Sequence, residues 1–280
     1  MNYLLLLLSC FFNGLKSVFA KKSNAVLSEE HNIYTYNFYM FFVAFLIVAV
    51  YGLSGWKGLS LATAIYGVLY GVALIFAQVF LIRAMDLGGV SVSSLFYSCG
   101  FLLPTFTGVL FYEETVSVFQ LVGVALILVS FIITTSRGER LTVKWFVLAI
   151  AALLCNGAVG VLQKLFRMSE YKAEQSGLMV VAFLVGTLFA FLLMPKRRPF
   201  LPSARFLGTA AVSGTTLGLV NTINVHISGL LPSIVVFPSV NGGGIVAAAL
   251  LAYLLIGEKL SKKKTAGVLL GVLAICLIAL

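Results

Sequence analysis

The sequence predicts an all-α membrane protein with ten transmembrane helices, arranged as two inverted repeats of five helices each. Three observations support this prediction: the composition, the number of long apolar segments, and motifs that recur in the two halves. Of the 280 residues, 61% are hydrophobic and only 10% are charged, and the mean hydropathy is +1.08. Soluble domains are typically about 45–50% apolar and about 25% charged. Lipid is therefore the solvent that suits this chain.

Ten apolar segments approach or exceed the roughly 20 residues that a helix needs to cross a bilayer. Each is expected to be helical, because backbone groups in lipid must find their hydrogen-bond partners within their own segment. In chain order the segments are 2–20, 33–54, 61–84, 89–112, 116–135, 143–163, 177–195, 205–227, 231–256 and 265–280. The loops between them are short, so any function must be carried by the membrane bundle itself.

Two groups of residues occur once in each half of the chain with matching spacing. The first group is Asn13, Gly14 and Lys21, then Asn156, Gly157 and Lys164. The second group is Glu114, Ser117 and Gly123, then Glu258, Ser261 and Gly267. We therefore predict an internal duplication with units 1–138 and 139–280. Because five is odd, the second unit must enter the membrane in the opposite orientation, which places a pseudo-twofold axis in the membrane plane.

Positive charges predict how the bundle is oriented. The loops after spans 1, 3, 5, 7 and 9 define one face, called the basic face below. Of the 19 Lys and Arg residues, this face carries 14: Lys21, Lys22, Arg83, Arg137, Arg140, Lys144, Lys196, Arg197, Arg198, Arg205, Lys259, Lys262, Lys263 and Lys264. Four lie in the other loops, and Lys16 lies within the first span. Cytoplasmic loops are enriched in Lys and Arg, so both chain ends are predicted to be extracytoplasmic.

The same topology accounts for the net charge of +10, which in a soluble chain would suggest nucleic acid. Nucleic acid is not predicted as a partner, because no soluble domain remains to bind it. The expected partners are membrane lipid and a small-molecule substrate, and the functional unit is expected to be a monomer. Compact loops without an Asn-x-Ser/Thr acceptor predict a prokaryotic inner membrane.

The later part of each repeat resembles a known transporter unit. In the first repeat the resembling residues are the run from Ala84 to Ser94, then Pro104, Gly108, Glu114 and Gly123. In the second repeat they are Pro232, Pro238, the run from Gly257 to Ser261, and Gly267. These residues resemble the EamA-type repeat of the drug/metabolite transporter superfamily. The resemblance implies a ten-helix basket that moves small polar metabolites by alternating access, with helices 1, 3, 4, 6, 8 and 9 lining a central cavity.

Polar side chains inside the spans are the candidate substrate ligands, because polar groups in hydrocarbon are costly unless they are paired. The duplication makes Asn13 equivalent to Asn156, and Tyr97 equivalent to Asn241. The predicted substrate-binding residues are Asn13, Gln78, Ser94, Tyr97, Asn156, Asn221 and Asn241. Uncharged amides suit a polar, uncharged or zwitterionic solute. For the two equivalent asparagines, hydrogen bonding to a neighbouring helix is the competing interpretation.

Three further features have two interpretations each. The glycines at 242–244 in the ninth span permit either close helix packing or a kink that exposes main-chain carbonyls. Lys16 is expected to extend towards the cytoplasmic boundary, with anion binding as the alternative. Glu114 and Glu258 are expected to be structural, either capping the following helix or pairing with a basic neighbour. His226 is expected to lie at the interface, bonded to backbone.

The leading functional hypothesis is a secondary transporter of a small polar metabolite, such as an amino acid or a nucleobase-like or sugar-like solute. The alternative is a carrier of cationic drugs or quaternary amines that uses an aromatic stripe of Tyr66, Tyr70 and Phe80. An enzyme is not predicted, because the sequence has no HExxH, Gly-x-Ser-x-Gly or Walker motif. No catalytic residue, metal ligand or cofactor is predicted, and the four cysteines lack metal-site spacing.

Overall fold

The computed structural model of the chain is a bundle of membrane-length helices. It describes residues 2–24, 33–88, 90–134, 142–194, 203–257 and 262–280, and these ranges contain no strand. The helices are α1 (Asn2–Asn24), α2 (Ile33–Ser54), α3 (Leu61–Gly88), α4 (Val90–Ser98), α5 (Leu102–Tyr112), α6 (Val118–Thr134), α7 (Val143–Met168), α8 (Gln175–Leu193), α9 (Ala204–Ile227), α10 (Ser233–Ile256) and α11 (Lys262–Ile278). Short 3₁₀ segments lie at Cys99–Phe101 and Glu170–Glu174. The predicted all-helical membrane fold is confirmed.

Helix length and hydropathy agree with ten spans. Within the described residues, eight segments are long and apolar enough to cross a membrane, and α4 and α5 together supply one of them. The apolar helices Val118–Ile133 and Thr265–Ile278 are shorter. Large aliphatic side chains such as Leu110, Leu192 and Leu254 lie exposed on the outside of the bundle, where lipid would cover them.

The sixth span is longer than its hydropathy predicted. We expected it to end at residue 163 and counted Lys164 and Arg167 as loop charges, but α7 continues to Met168. Lys164 is only 5% exposed inside the bundle. Hydropathy ended the helix too early because it treats a charge as a loop signal, whereas this charge has a partner inside the protein.

The fourth span is interrupted, and the ninth is not. The α4 and α5 helices are separated by the 3₁₀ segment Cys99–Phe101. Pro104 has no N–H, so the carbonyl of Gly100 has no α-helical donor and the ladder is broken there. The kink considered at 242–244 is absent, since α10 is continuous through these glycines.

Close packing explains those three glycines instead. A Cβ atom on Gly242 would lie 2.8 Å from Ile127, and one on Gly243 would lie 2.6 Å from Cys10. A Cβ on Gly244 would collide with the side chain of Asn13. The glycines therefore let α10 approach α1 and α6 closely, and the packing interpretation is correct.

Most of the large helix contacts join one repeat to the other. Helix α1 packs on α9 and α10, α2 packs on α8 and α9, α3 packs on α7 and α8, and α6 packs on α11. The contacts of the first span with the eighth and ninth are mirrored by those of the sixth span with the third and fourth. This exchange is the pattern expected of an inverted duplication. The predicted boundary between residues 138 and 139 lies outside the described residues.

Replacing Gly14 with alanine should destabilise the protein. A Cβ there would lie 2.6 Å from the Cβ of Ala247 and 2.7 Å from the main-chain nitrogen of Ala248. Overpacking of this kind costs about 1–3 kcal/mol, so we expect a lower Tm in detergent. The control is Gly208→Ala, because a Cβ on Gly208 meets no atom within 4 Å. Equal Tm values for the two variants would contradict the close α1–α10 contact.

Candidate functional site

A cavity of about 790 Å³ lies between the two repeats. Its walls come from spans 1, 3, 4, 6, 8 and 9, together with the beginning of α2 and Phe131 of α6. These six spans are the ones that the family resemblance implied. Pockets for small molecules in proteins are typically about 300–1,000 Å³, so this cavity can accommodate a metabolite.

All seven residues predicted as substrate ligands line this cavity: Asn13, Gln78, Ser94, Tyr97, Asn156, Asn221 and Asn241. They lie on six helices, namely α1, α3, α4, α7, α9 and α10. The fold thus brings together residues that are up to 228 positions apart in the sequence. Their role as substrate ligands stays a prediction.

The two equivalent asparagines make equivalent hydrogen bonds across the repeats. Asn13 Nδ2 donates to the main-chain carbonyl of Val240 at 3.1 Å, and Asn156 Nδ2 donates to that of Tyr97 at 2.9 Å. The glycine after each asparagine allows the approach. A Cβ on Gly157, for example, would lie 2.8 Å from the carbonyl oxygen of Gly100 and from the Cβ of Leu103, both in the fourth span. Both asparagines therefore hold helices together and also line the cavity.

Two of the other predicted ligands, Gln78 and Asn241, make hydrogen bonds only within their own repeat. Gln78 Nε2 on α3 donates to the hydroxyl of Tyr97 on α4 at 3.4 Å. Asn241 Nδ2 donates to the carbonyl of Phe237, one turn earlier in its own helix, at 2.9 Å. Neither side chain links the repeats, so each can change partners without separating them.

A buried chain of hydrogen bonds joins three helices at one end of the cavity. Tyr70 is fully buried, and its hydroxyl donates to Asn221 Oδ1 at 2.6 Å. The same hydroxyl accepts a hydrogen bond from Gln163 Nε2 at 2.6 Å. Asn221 Nδ2 in turn donates to the carbonyl of Leu217 at 2.9 Å. Every polar atom in the chain is paired except Gln163 Oε1, which is buried without a partner.

The predicted aromatic stripe does not face the cavity. Tyr66 packs its ring against Phe166, with centroids 5.8 Å apart, and Phe80 stacks on Phe76 at 5.7 Å. None of Tyr66, Tyr70 and Phe80 is a lining residue. The packing interpretation of these aromatic residues is correct, and the stripe supplies no site for a quaternary amine.

Several lining residues were missing from the predicted set: Lys16, Tyr36, Asn37, Gln163 and Asn224. Gln163 could have been identified, because it lies seven residues, or two helical turns, after Asn156 and so on the same helix face. Asn37 stands near the start of α2, at a predicted interface, where polar residues are ordinary. Asn224 accepts a hydrogen bond from Ser9 at 2.6 Å.

Of Lys16 and His226, only Lys16 lines the cavity. Lys16 lies three residues beyond Asn13 on α1 and lines the cavity. This position agrees with both interpretations of Lys16, extension towards the cytoplasmic boundary and anion binding. His226 is exposed in the last turn of α9 and does not line the cavity.

Glu114 closes the face of the bundle opposite the basic face. Its Oε1 lies 2.5 Å from Lys164 Nζ, and its Oε2 accepts a hydrogen bond from the main-chain nitrogen of Ser233 at 2.7 Å. The predicted structural role is confirmed. The prediction that Glu114 caps the following helix, α6, is wrong, however. It caps α10 of the other repeat, which begins at Ser233. Gly108 leaves room for the carboxylate, because a Cβ there would collide with it.

A second glutamate acts on the same face from the other repeat. Glu174 Oε2 accepts hydrogen bonds from the main-chain nitrogen and the hydroxyl of Ser60, each at 2.8 Å, at the start of α3. A carboxylate at a helix N-terminus is favoured by the helix dipole. Each repeat thus caps a helix of the other on this face. Glu258 and the side chain of Lys21, the counterparts of Glu114 and Lys164, lie outside the described residues.

The comparisons with known proteins agree with this architecture. Residues 1–136, nearly all of the predicted first repeat 1–138, match the EamA-like transporter family. The expected resemblance to the EamA-type repeat is thus confirmed for the first half of the chain. This match and the membrane-length helices together indicate a multi-pass membrane transporter of the drug/metabolite type.

A solved structure described only as "Crystal structure of protein" has the same fold as this EamA-like chain. It aligns with a TM-score of 0.75 at 13% identity and covers 97% of this chain and 95% of that one. At this identity the similarity shows the fold alone. No curated protein matches the EamA-like chain in sequence.

Replacing Tyr70 with phenylalanine should lower the free energy of unfolding by about 1–3 kcal/mol, because it removes the partner of two buried amides. The matched control is Tyr66→Phe, since the hydroxyl of Tyr66 has no such role in the chain of bonds through Asn221 and Gln163. The stability of both variants is measured by thermal unfolding in detergent. If Tyr70→Phe unfolds at the same temperature as Tyr66→Phe, the chain of hydrogen bonds does not stabilise the bundle.

Proposed function

We propose that this EamA-like protein is a secondary transporter that carries a small polar metabolite by alternating access between its two repeats. One observation carries the proposal: a single cavity at the repeat interface collects the polar residues of six spans. Amide and hydroxyl groups dominate among its polar residues, and they suit the hydroxyl, amino and carbonyl groups of amino acids, sugars and nucleobases. Substrate sites of transporters built from inverted repeats lie in this position.

The position of the lining residues supports a state in which the cavity faces the basic side. Asn13, Lys16 and Ser17 lie in the second half of α1, which runs towards that side, and Ser17 is exposed. Tyr36 and Asn37 lie at the beginning of α2, which starts from it. We place this side in the cytoplasm of a prokaryote, with both chain ends outside and the monomer as the transporting unit.

The two glutamate caps supply the closure on the opposite side. Each joins a loop of one repeat to the first turn of a helix in the other, through Ser233 or Ser60. A movement of one repeat against the other would break both caps and leave the bonds within each repeat intact. Access to the opposite side therefore requires the loss of these caps together with other contacts between the repeats on that side.

The alternative of a cationic drug carrier is less well supported. It relied on Tyr66, Tyr70 and Phe80, none of which lines the cavity. Among the described residues, the charged side chain on the cavity wall is the cation Lys16, which repels a cationic solute.

Uptake into proteoliposomes tests the proposed function, with a panel of radiolabelled amino acids, sugars, nucleobases and organic acids. The informative variant is Asn241→Ala. Asn241 lines the cavity but bonds only its own helix, so we expect uptake to fall at least fivefold while Tm changes little.

The matched control for that variant is Thr222→Ala. The hydroxyl of Thr222 also bonds its own helix, donating to the carbonyl of Gly218 at 2.8 Å, but Thr222 does not line the cavity. Its uptake should equal that of the wild type. Failure of the wild type to take up any solute of the panel, or equal uptake by both variants, would count against a transport site in this cavity.

Removing the charge of Glu114 should open the side opposite the basic face. Breaking a buried ion pair by removing one partner costs about 3–5 kcal/mol, and Glu114→Gln leaves Lys164 without its counter-charge. A cysteine at Ser228, which is fully buried behind Gln163, can report the opening. In a background without the four native cysteines, Ser228→Cys should react with an impermeant maleimide several-fold faster when Glu114→Gln is present.

Glu113→Gln is the control for this experiment. Glu113 is the exposed neighbour of Glu114 and stands outside the ion pair. It should leave the labelling rate unchanged. Equal labelling rates for the two glutamine variants would show that the Glu114 contacts do not close this side.

A further inference from the structure

One charged side chain lines the cavity within the described part of the chain. Lys16 lies on α1 one turn, or about 4.5 Å along the helix axis, beyond Asn13. No aspartate or glutamate is among the lining residues that the structure describes. The carboxylates of Glu114 and Glu174 are engaged on the opposite face.

The ammonium of Lys16 has no ion-pair partner among the described residues. An ionised group inside a membrane protein is costly unless it is paired or hydrated. Lys164, the other lysine inside the bundle, has Glu114 as its counter-charge. The two lysines therefore differ: the one that closes a face is neutralised by the protein, while the one on the cavity wall is left for something that enters the cavity.

Two uncharged groups of the cavity wall are also unpaired. Gln163 is 2% exposed and its Oε1 has no hydrogen-bond partner, and Asn37 is 5% exposed and its Nδ2 has none. Leaving a buried polar group unpaired is unfavourable, because its lost hydrogen bonds to water are not replaced. The orientation of the Gln163 amide is fixed by the chain through Tyr70, so the free atom at that end is an acceptor. An occupant that carries a hydrogen-bond donor can satisfy it.

We propose that the cavity takes a small organic anion that carries at least one hydrogen-bond donor. Its carboxylate or phosphate binds Lys16, and a hydroxyl or amino group elsewhere on the solute donates a hydrogen bond to Oε1 of Gln163 on the cavity wall. The proposal rests on the proposed transport function and narrows it from polar solutes in general to anions and zwitterions. The end of the cavity near Gln163 and Asn221 contributes only uncharged groups from the described residues. The one positive charge of Lys16 therefore matches one negative charge on the solute.

Matched sets of solutes that differ in charge test this proposal. One set is gluconate, glucose and glucosamine, with glucose 6-phosphate added to separate phosphate from carboxylate recognition. A second set is an amino acid, the hydroxy acid and the amine with the same side chain. Binding to the purified protein is measured by thermal shift, and uptake is measured in proteoliposomes. We expect the members that carry a carboxylate or phosphate to stabilise the wild type and to be taken up.

The informative variants are Lys16→Gln, which removes the charge, and Lys16→Arg, which keeps it. Lys16→Gln should weaken anion binding at least tenfold, and Lys16→Arg should restore a substantial part of it. Lys57→Gln is the control, because Lys57 is exposed in the loop between α2 and α3 and away from the cavity. It removes the same net charge and should bind anions like the wild type.

The outcomes separate this proposal from the transport function. If neutral or cationic members are taken up and no anion is, the anion proposal is overturned while the transport function stands. Anion binding that is equally strong in Lys16→Gln and the wild type also overturns it. If no solute of any charge binds or is taken up, both proposals fail.

Discussion

The fold depends on one constraint: polar groups in lipid must be paired inside the protein. This chain meets the constraint largely by pairing one repeat with the other. Asn13 and Asn156 each donate to a main-chain carbonyl of the opposite repeat, and Glu114 caps a helix that begins at Ser233. Tyr70 binds two amides of the second repeat in the same way. Neither half can satisfy these polar groups alone, so the two halves form one structural unit.

The same constraint explains why the cavity lies where it does. Polar residues gather along the surface where the repeats meet, and that surface is not packed completely. Asn13 and Asn156 show that a side chain can hold the helices together with its amide nitrogen and still stand on the cavity wall. Structural and functional interpretations of such residues are therefore complementary. The glycine beside each asparagine brings the helices near enough for both roles.

The sequence identified candidate site residues where a motif recurred in both halves. It was less informative about residues whose interaction partner is distant in the sequence. Duplication identified Asn13 and Asn156, and hydropathy located the spans. Hydropathy could not foresee that α7 continues through Lys164, because the compensating charge of Glu114 is 50 residues away in the sequence. Nor could it place the interruption of the fourth span, which follows from the missing N–H of Pro104. Glycine content alone pointed instead to the ninth span.

The interruption at Cys99–Phe101 makes the duplication imperfect. In a duplicated protein with identical halves, the two end states of a rocking movement would be related by the twofold axis and equal in free energy. Here the fourth span is broken and its counterpart, α10, is continuous. The two orientations therefore differ in main-chain hydrogen bonding as well as in side chains. A difference of only about 1.4 kcal/mol shifts such an equilibrium tenfold. One short irregular segment can thus bias the proposed equilibrium between the two orientations.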